Sequence, residues 1–287
     1  MSNREQRKEI EKILLVRMNS SVRVKTGHSR SYCLPWRLKY IESLLKQEGK
    51  KTKIIDLLIT VLPLNVLLNI SVSWKPDLLI ISSALTDCKL TLKYANLVKE
   101  KIRNIFIICA GSGPTTKPTE YLFRNSPIDL ILPGEAEFKI ISLLKKIEKG
   151  YSAEVIRNAY FQNNKNSNEI RPILSPELDN LPFPVYSKGE LQRYSLIYSV
   201  RMNKQVIWGQ ILSSRGCFHR CVFCYPMLRY SYGTKIRLRS AKNVVDEIEY
   251  LLRKGANAIS FEDDDFAASK EHVISICREI QKERFKR

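Results

Sequence analysis

Ser213-Ser214-Arg215-Gly216-Cys217-Phe218-His219-Arg220-Cys221-Val222-Phe223-Cys224-Tyr225-Pro226 sets three cysteines in the pattern CxxxCxxC. An apolar run, Val206-Ile207-Trp208 to Ile211-Leu212, leads into it and a proline follows the last thiol, so the stretch reads as a loop at a strand's end. Thiols this crowded in a reducing compartment are metal or redox ligands more often than disulfide partners. Their number is informative. A closed zinc or iron–sulfur site uses four protein ligands, whereas three thiolates can hold a [4Fe-4S] cluster by three irons and leave the fourth iron open. A zinc knuckle would need one more donor, and His219, set between two of the cysteines, is poorly placed to be it. Three inert core cysteines fit less well still, because Arg215, His219 and Arg220 make surroundings that favour thiolate.

That spacing, with Arg-Gly before the first cysteine and an aromatic before the third, resembles the radical S-adenosylmethionine (SAM) superfamily. The resemblance implies that Cys217, Cys221 and Cys224 ligate a [4Fe-4S] cluster, that Phe223 lies against the nucleoside side of SAM, and that SAM chelates the open iron. It further implies reductive cleavage of SAM to a 5′-deoxyadenosyl radical, fed by an electron donor such as flavodoxin or ferredoxin.

Outward from the loop, Ser240 to Leu252 predicts a helix, with Ser240 as N-cap, a stripe of Val244, Val245, Ile248, Leu251 and Leu252, and Gly255 as the stop. Ala258-Ile259-Ser260-Phe261 predicts the next strand, and Glu271 to Lys282 a third element, a helix with Val273, Ile274, Ile276, Cys277 and Ile280 on one face. Between the last two stands Glu262-Asp263-Asp264-Asp265-Phe266, whose four adjacent carboxylates repel one another and make a poor packing device. The segment is similar to the DDxF segment of the cobalamin-dependent class of radical SAM enzymes, which implies SAM contact by Glu262, Asp263 and Asp264. Only two of the six βα units usual in a radical SAM barrel are visible, so the chain is expected to be a fragment or a truncated product that could lack turnover, the alternative being that another chain supplies the missing units; alone it would leave sheet edges open.

Upstream, strands and helices alternate. Lys12–Asn19, Lys53–Asp56, Pro76–Ser83, Ile105–Ala110 and Asp129–Leu132 read as buried strands, with helices over Leu34–Leu45, Leu85–Ile102, Thr119–Arg124 and Ala136–Lys149. Leu57 to Ser71 is apolar enough for a helix or a packed loop, with Pro63 obscuring its start, and Gly111-Ser112-Gly113-Pro114 reads as a turn. The fold class is therefore α/β, a flavodoxin- or Rossmann-like doubly wound parallel sheet followed by an incomplete (β/α) barrel. The expected divisions are 1–150, a connector over 151–200, and 201–287.

The runs Pro76 to Thr86, Ala110 to Gly113 and Pro133 to Glu137, in that order ahead of the cysteine loop, resemble the cobalamin-binding domain of the same class, and Leu178-Asp179-Asn180-Leu181-Pro182-Phe183-Pro184 resembles its connector. The resemblance implies that Ser83 and Thr86 hydrogen-bond the nucleotide tail of cobalamin and that Gly111 and Gly113 let the backbone approach it. No DxHxxG loop is present, so cobalt would have no histidine from that motif. The implied reaction is methyl transfer or radical rearrangement on a small-molecule or peptide substrate. A methylthiotransferase, with a second cluster on Cys33, Cys88 and Cys109, is one alternative; a non-catalytic zinc or nucleic-acid-binding protein is the other.

Composition narrows these choices. A 44% hydrophobic content in 287 residues supports a folded chain of two domains, and the charged N-terminus and lack of a long apolar run predict a soluble, cytoplasmic protein with no membrane partner. Seven cysteines, three clustered, do not form a secreted disulfide framework. The net charge of +19 would suit phosphates, but the basic residues alternate with Glu, as in Lys145 to Lys149, like solvated helix faces, so nucleic acid is not expected as a partner.

Overall fold

Strand β1 (Lys12–Arg17) is covered on both sides, and its period-2 alternation sends Ile13 and Leu15 to one core and Leu14 and Val16 to another. The structure is a computed structural model describing residues 9–19, 34–161, 173–175, 177–194, 197–199, 204–224 and 227–283. After β1 come α1 (Trp36–Gln47), β2 (Lys51–Asp56), α2 (Leu64–Trp74), β3 (Leu78–Ser82), α3 (Cys88–Lys101) and β4 (Phe106–Ala110). Two short helices, α4 (Ser112–Thr116) and α5 (Pro118–Tyr121), precede β5 (Leu130–Leu132), α6 (Ile140–Glu148) and α7 (Ala153–Phe161).

The five strands form one parallel sheet in the order β2-β1-β3-β4-β5. This is the flavodoxin-like winding, whose switch point lies between β1 and β3. Leu38, Ile41 and Leu45 of α1, with Leu143, Leu144 and Ile147 of α6, cover one face; Leu67 of α2 and Tyr94, Ala95 and Val98 of α3 cover the other. Each face thus buries its own apolar layer, the main driving force for this unit.

Three local details differ from expectation. Pro63 stands just before the first turn of α2, where a missing N–H costs nothing, so the helix runs from Leu64 and not from Leu57. Gly111 to Pro114 is not a simple turn: Gly111, at φ 112°, opens α4. Helix α7 lies in a stretch without readable periodicity, where Ile156 is its buried anchor in the core.

Contacts divide the chain into two units, Met1–Val22 with Arg37–Leu174 and Arg23–Trp36 with Ser175–Arg287. In the second, β6 (Ile197–Ser199) and β7 (Lys204–Val206) form an antiparallel hairpin, followed by β8 (Trp208–Ile211), β9 (Ser214–Arg215), α8 (Met227–Tyr232) and β10 (Arg237–Leu238). Then come α9 (Ala241–Arg253), β11 (Ala258–Phe261) and α10 (Lys270–Lys282). Strand β11 pairs parallel with β8, Trp208 opposite Ala258 and Ile211 opposite Phe261, and α9 is the crossover between them. Gly209 permits that crossover, since a Cβ there would meet Leu251 at 3.1 Å and Ile259 at 2.9 Å. Ser240 and Ser269 cap α9 and α10 by accepting from the N–H groups of Asn243 and His272. This is the βαβα beginning of a parallel β/α barrel. No described helix is long and apolar enough to cross a membrane.

Candidate functional site

Adjacent parallel strands deliver their C-terminal loops to one place, and here β8 delivers the cysteine loop while β11 delivers the acidic segment. Past β8 the chain is braced from two sides. Ser214 and Arg215 pair with Leu238 and Arg237 across the β9–β10 ribbon, and the Cys217 N–H donates to the Gly233 carbonyl at 3.3 Å. Gly216 between them has φ 92° and packs so closely on the Lys235 carbonyl that no side chain fits. The loop then runs outward. Cys217 and Cys224 are half-buried and Cys221 is exposed, with the Cys224 N–H closing a turn onto the Cys221 carbonyl at 3.0 Å. Phe218, Val222 and Phe223 are all exposed, Phe223 at 89%.

Among the described residues, no three His, Cys, Asp or Glu side chains are gathered closely enough to hold a single metal ion. A cluster asks for something wider, because each thiolate would bind its own iron. His219 is already engaged: its Nε2 lies 2.8 Å from Asp265 Oδ2 and its ring rests on Phe218 with centroids 4.2 Å apart. That bond links the cysteine loop to the acidic turn.

The four carboxylates of that turn have separate surroundings. Glu262 is exposed and accepts the Ser260 hydroxyl at 2.7 Å, while its N–H extends the ladder to the Ile211 carbonyl at 2.8 Å. Asp263 accepts from the Ser213 N–H at 3.1 Å, the Ser213 hydroxyl at 2.8 Å and the Ser214 hydroxyl at 2.5 Å. Asp264 accepts from the Gly216 N–H, and its Oδ2 is buried with no hydrogen-bond partner among the described residues. Burial, and next the charge of Asp263, push the Asp264 carboxyl above the usual carboxylate range; Gly216 and Arg215 pull the other way. Arg215 is itself buried, with its guanidinium 5.5 Å from the Trp36 ring centroid and 5.9 Å from that of Tyr232. A buried acceptor beside the first cysteine is the feature that most invites a cationic ligand group.

Residues not singled out in the sequence complete the support. Arg239 is buried against Glu247 at 2.5 Å and also donates to the Leu212 carbonyl at 2.8 Å, just past β8. His272, nearly buried at the start of α10, has Nε2 3.3 Å from the Ser213 hydroxyl. Burial holds its imidazole below the usual histidine range, assisted by Arg239 and opposed by Asp263 and the Ser213 backbone. A depressed folded pKa keeps the stabilising contribution above the unfolded value and loses it as pH falls through the folded one. The second unit should therefore have a lower urea midpoint at about pH 5.5 than at about pH 7.5, and the difference should shrink in His272→Gln. An equal difference in both proteins would show that other groups set it.

In the first unit the anticipated cofactor contacts have other employment. The Ser83 hydroxyl is buried among Thr91 Oγ1 at 2.8 Å, Tyr121 Oη at 2.9 Å and the Ala84 carbonyl at 3.2 Å. A Cβ on Gly111 would stand 2.5 Å from the Ser83 carbonyl, and one on Gly113 would strike Tyr121 Oη and the Ala84 carbonyl. These glycines admit the chain's own atoms. Thr86 is exposed, with its hydroxyl 3.5 Å from Asp87. As for a second three-cysteine site, Cys33 lies outside the described residues, and Cys109 is fully buried mid-strand with its thiol pushed well up by burial. Cys88 opens α3 with its thiol toward the Glu120 carbonyl at 3.7 Å. Nothing in this arrangement favours a second cluster.

No protein-family model matches the chain. An uncharacterized methyltransferase of Pyrococcus horikoshii is 30% identical over 255 residues, covering 87% of this chain and 52% of that relative, so the chain spans about half of its length. Two solved structures share the fold. One is a radical S-adenosylmethionine methyltransferase, TsrM, from Kitasatospora setae, with tryptophan substrate and a SAM analog bound; it has a TM-score of 0.61 at 18% identity over 95% of this chain and 51% of that one. The other is the cobalamin-dependent S-adenosylmethionine radical enzyme OxsB with aqua-cobalamin and S-adenosylmethionine bound; it has a TM-score of 0.63 at 18% identity over 97% of this chain and 38% of that one.

Proposed function

We propose that the chain holds a [4Fe-4S] cluster for reductive cleavage of SAM within a methyl-transferring radical SAM enzyme, a reading supported by its likeness to a methyltransferase over half of that relative and by the fold it shares with cobalamin-dependent radical SAM enzymes. The carrying observation is that the three-thiol loop and the acidic turn leave neighbouring parallel strands and are joined by the Gly216 N–H to Asp264 bond. Cys217, Cys221 and Cys224 would be the ligands, a soft donor set suited to iron–sulfur clusters. When bound, the cluster would supply one electron to the sulfonium of SAM, drawn from a low-potential donor protein.

The chain's own part is positioning. Gly216 and the β9–β10 ribbon aim the start of the loop, and the buried Asp264 Oδ2 offers an acceptor to the ammonium group of SAM. Glu262, exposed at the same turn, adds negative charge. Phe223, exposed on the Cys221–Cys224 turn, is free to cover an adenine ring. By analogy with TsrM, solved with tryptophan, the substrate would be a small molecule, and by analogy with OxsB, solved with aqua-cobalamin, cobalamin would be a second cofactor. Ser83, Gly111 and Gly113 pack against the chain's own atoms, and no step is assigned to them toward a corrinoid.

Anaerobic reconstitution with iron and sulfide tests this reading. Wild-type protein should take up about four irons per chain with broad visible absorption, and SAM should change the electron paramagnetic resonance signal of the reduced cluster. Cys221→Ala should lose both. Tight stoichiometric zinc in place of iron would overturn it.

A further inference from the structure

We propose that Asp263 is a positioning residue, a clamp that fixes the start of the cysteine loop through Ser213 and Ser214, and not a contact to SAM. The proposal deepens the reading above and rests on it for the identity of the cluster. Regular pairing of β8 and β11 ends at Ile211 opposite Phe261, with the Glu262 N–H to Ile211 carbonyl bond as its last rung. Beyond that rung two chains normally diverge. Here one carboxylate continues the connection, taking an N–H and two hydroxyls from consecutive residues of the segment that follows β8.

Both Asp263 oxygens are thereby engaged, and both serines are buried, Ser213 at 0% and Ser214 at 3% exposure. Three bonds to a charged acceptor make a stiff joint, since each such bond is stronger than its neutral counterpart. Ser213 has a single hydroxyl hydrogen, which it gives to Asp263, so the proton in the His272 bond belongs to Nε2. The imidazole of α10 thus donates into the clamp and anchors it to the helix behind. Directly after Ser214 come Arg215, buried over Trp36 and Tyr232, then Gly216 and the first thiol. Asp263 therefore acts three and four residues upstream of Cys217, while Asp264 keeps the buried acceptor for the ligand.

The two roles separate in an experiment on the reconstituted protein. For Asp263→Ala a clamp predicts that iron is lost to a chelator roughly ten-fold faster than from wild type, while SAM affinity of the cluster-bearing fraction stays within about two-fold. Ser213→Ala/Ser214→Ala, which keeps the Ser213 N–H bond, and Asp263→Asn, which keeps one acceptor oxygen, should both fall between wild type and Asp263→Ala, and adding Asp263→Ala to the serine pair should bring it only to the level of Asp263→Ala alone. Amide hydrogen exchange across Ser213 to Cys217 should quicken by roughly ten-fold in Asp263→Ala, with or without iron. Unchanged iron retention with weakened SAM binding would overturn the clamp. Failure of wild-type protein to take up iron would instead sink the cluster reading, and exchange at Ser213 to Cys217 would still decide the clamp: faster in Asp263→Ala supports it, and unchanged overturns it.

Discussion

Gly216→Ala should nearly empty the cysteine loop of iron, whereas Gly255→Ala should leave iron content unchanged. Both glycines have positive φ, 92° and 100°, so both substitutions carry the left-handed strain of roughly 1–3 kcal/mol. They differ in what a Cβ would meet. Nothing lies within 4 Å at Gly255, but at Gly216 the Lys235 carbonyl oxygen, part of the backbone that braces the loop, occupies the place. Relief would require the 233–235 turn to withdraw, breaking the Cys217 N–H to Gly233 carbonyl bond, or Gly216 to rotate away from Asp264. Either move displaces the first thiol. Iron per chain after reconstitution, with the melting temperature of the second unit, measures the effect. The expected result is a roughly ten-fold fall in iron for Gly216→Ala, against a loss confined to stability for Gly255→Ala. Equal iron in both variants would show that the close approach at Gly216 has no bearing on the loop.

The reach of each signal along the chain decides how much of this is readable in the sequence. The sheet strands are legible because runs such as Leu78 to Ile81 are apolar on both faces, a pattern that depends on adjacent residues alone. The caps Ser240 and Ser269 are equally local, each bonding an N–H three residues on. The cysteine loop and acidic turn are visible as motifs, and their placement at neighbouring strand ends agrees with the order of the elements. Residues whose role depends on a distant partner are not legible. Asp263 looks like its neighbours until its bonds to Ser213 and Ser214, 50 and 49 residues away, are known. Tyr121 reads only as part of a Thr119–Arg124 helix, yet it closes on Ser83, 38 residues earlier, and uses the room Gly113 leaves. Helix α8 and the two-residue strands β9 and β10 are too short to carry a period.

Glu247 is the strongest case, and it supports the second large prediction. It lies on the apolar face of α9 beside Val244, Ile248 and Leu251, where a helical stripe would demand a hydrophobe. Burial pushes its carboxyl above the usual range against the pull of Arg239 and, more weakly, Arg215. Arg239 reaches it from the segment before α9 with Nη1, which also donates to the Leu212 carbonyl, bonds Asn243 through Nε and Nη2, and lies 5.8 Å from the Phe183 ring centroid. The pair therefore ties the β8 exit, the helix and the Leu178 to Pro184 segment together. Arg239→Met leaves a buried carboxylate and an unmatched Leu212 carbonyl, and should destabilise the second unit by about 3–5 kcal/mol. The doubly apolar Arg239→Met/Glu247→Leu removes the stranded charge along with its partner and should recover most of that loss. Because the two units need not unfold together, exchange protection of the α9 amides is the suitable measure. A double variant as unstable as the single one would mean that Arg239 acts through Leu212 and Asn243 and not through its charge.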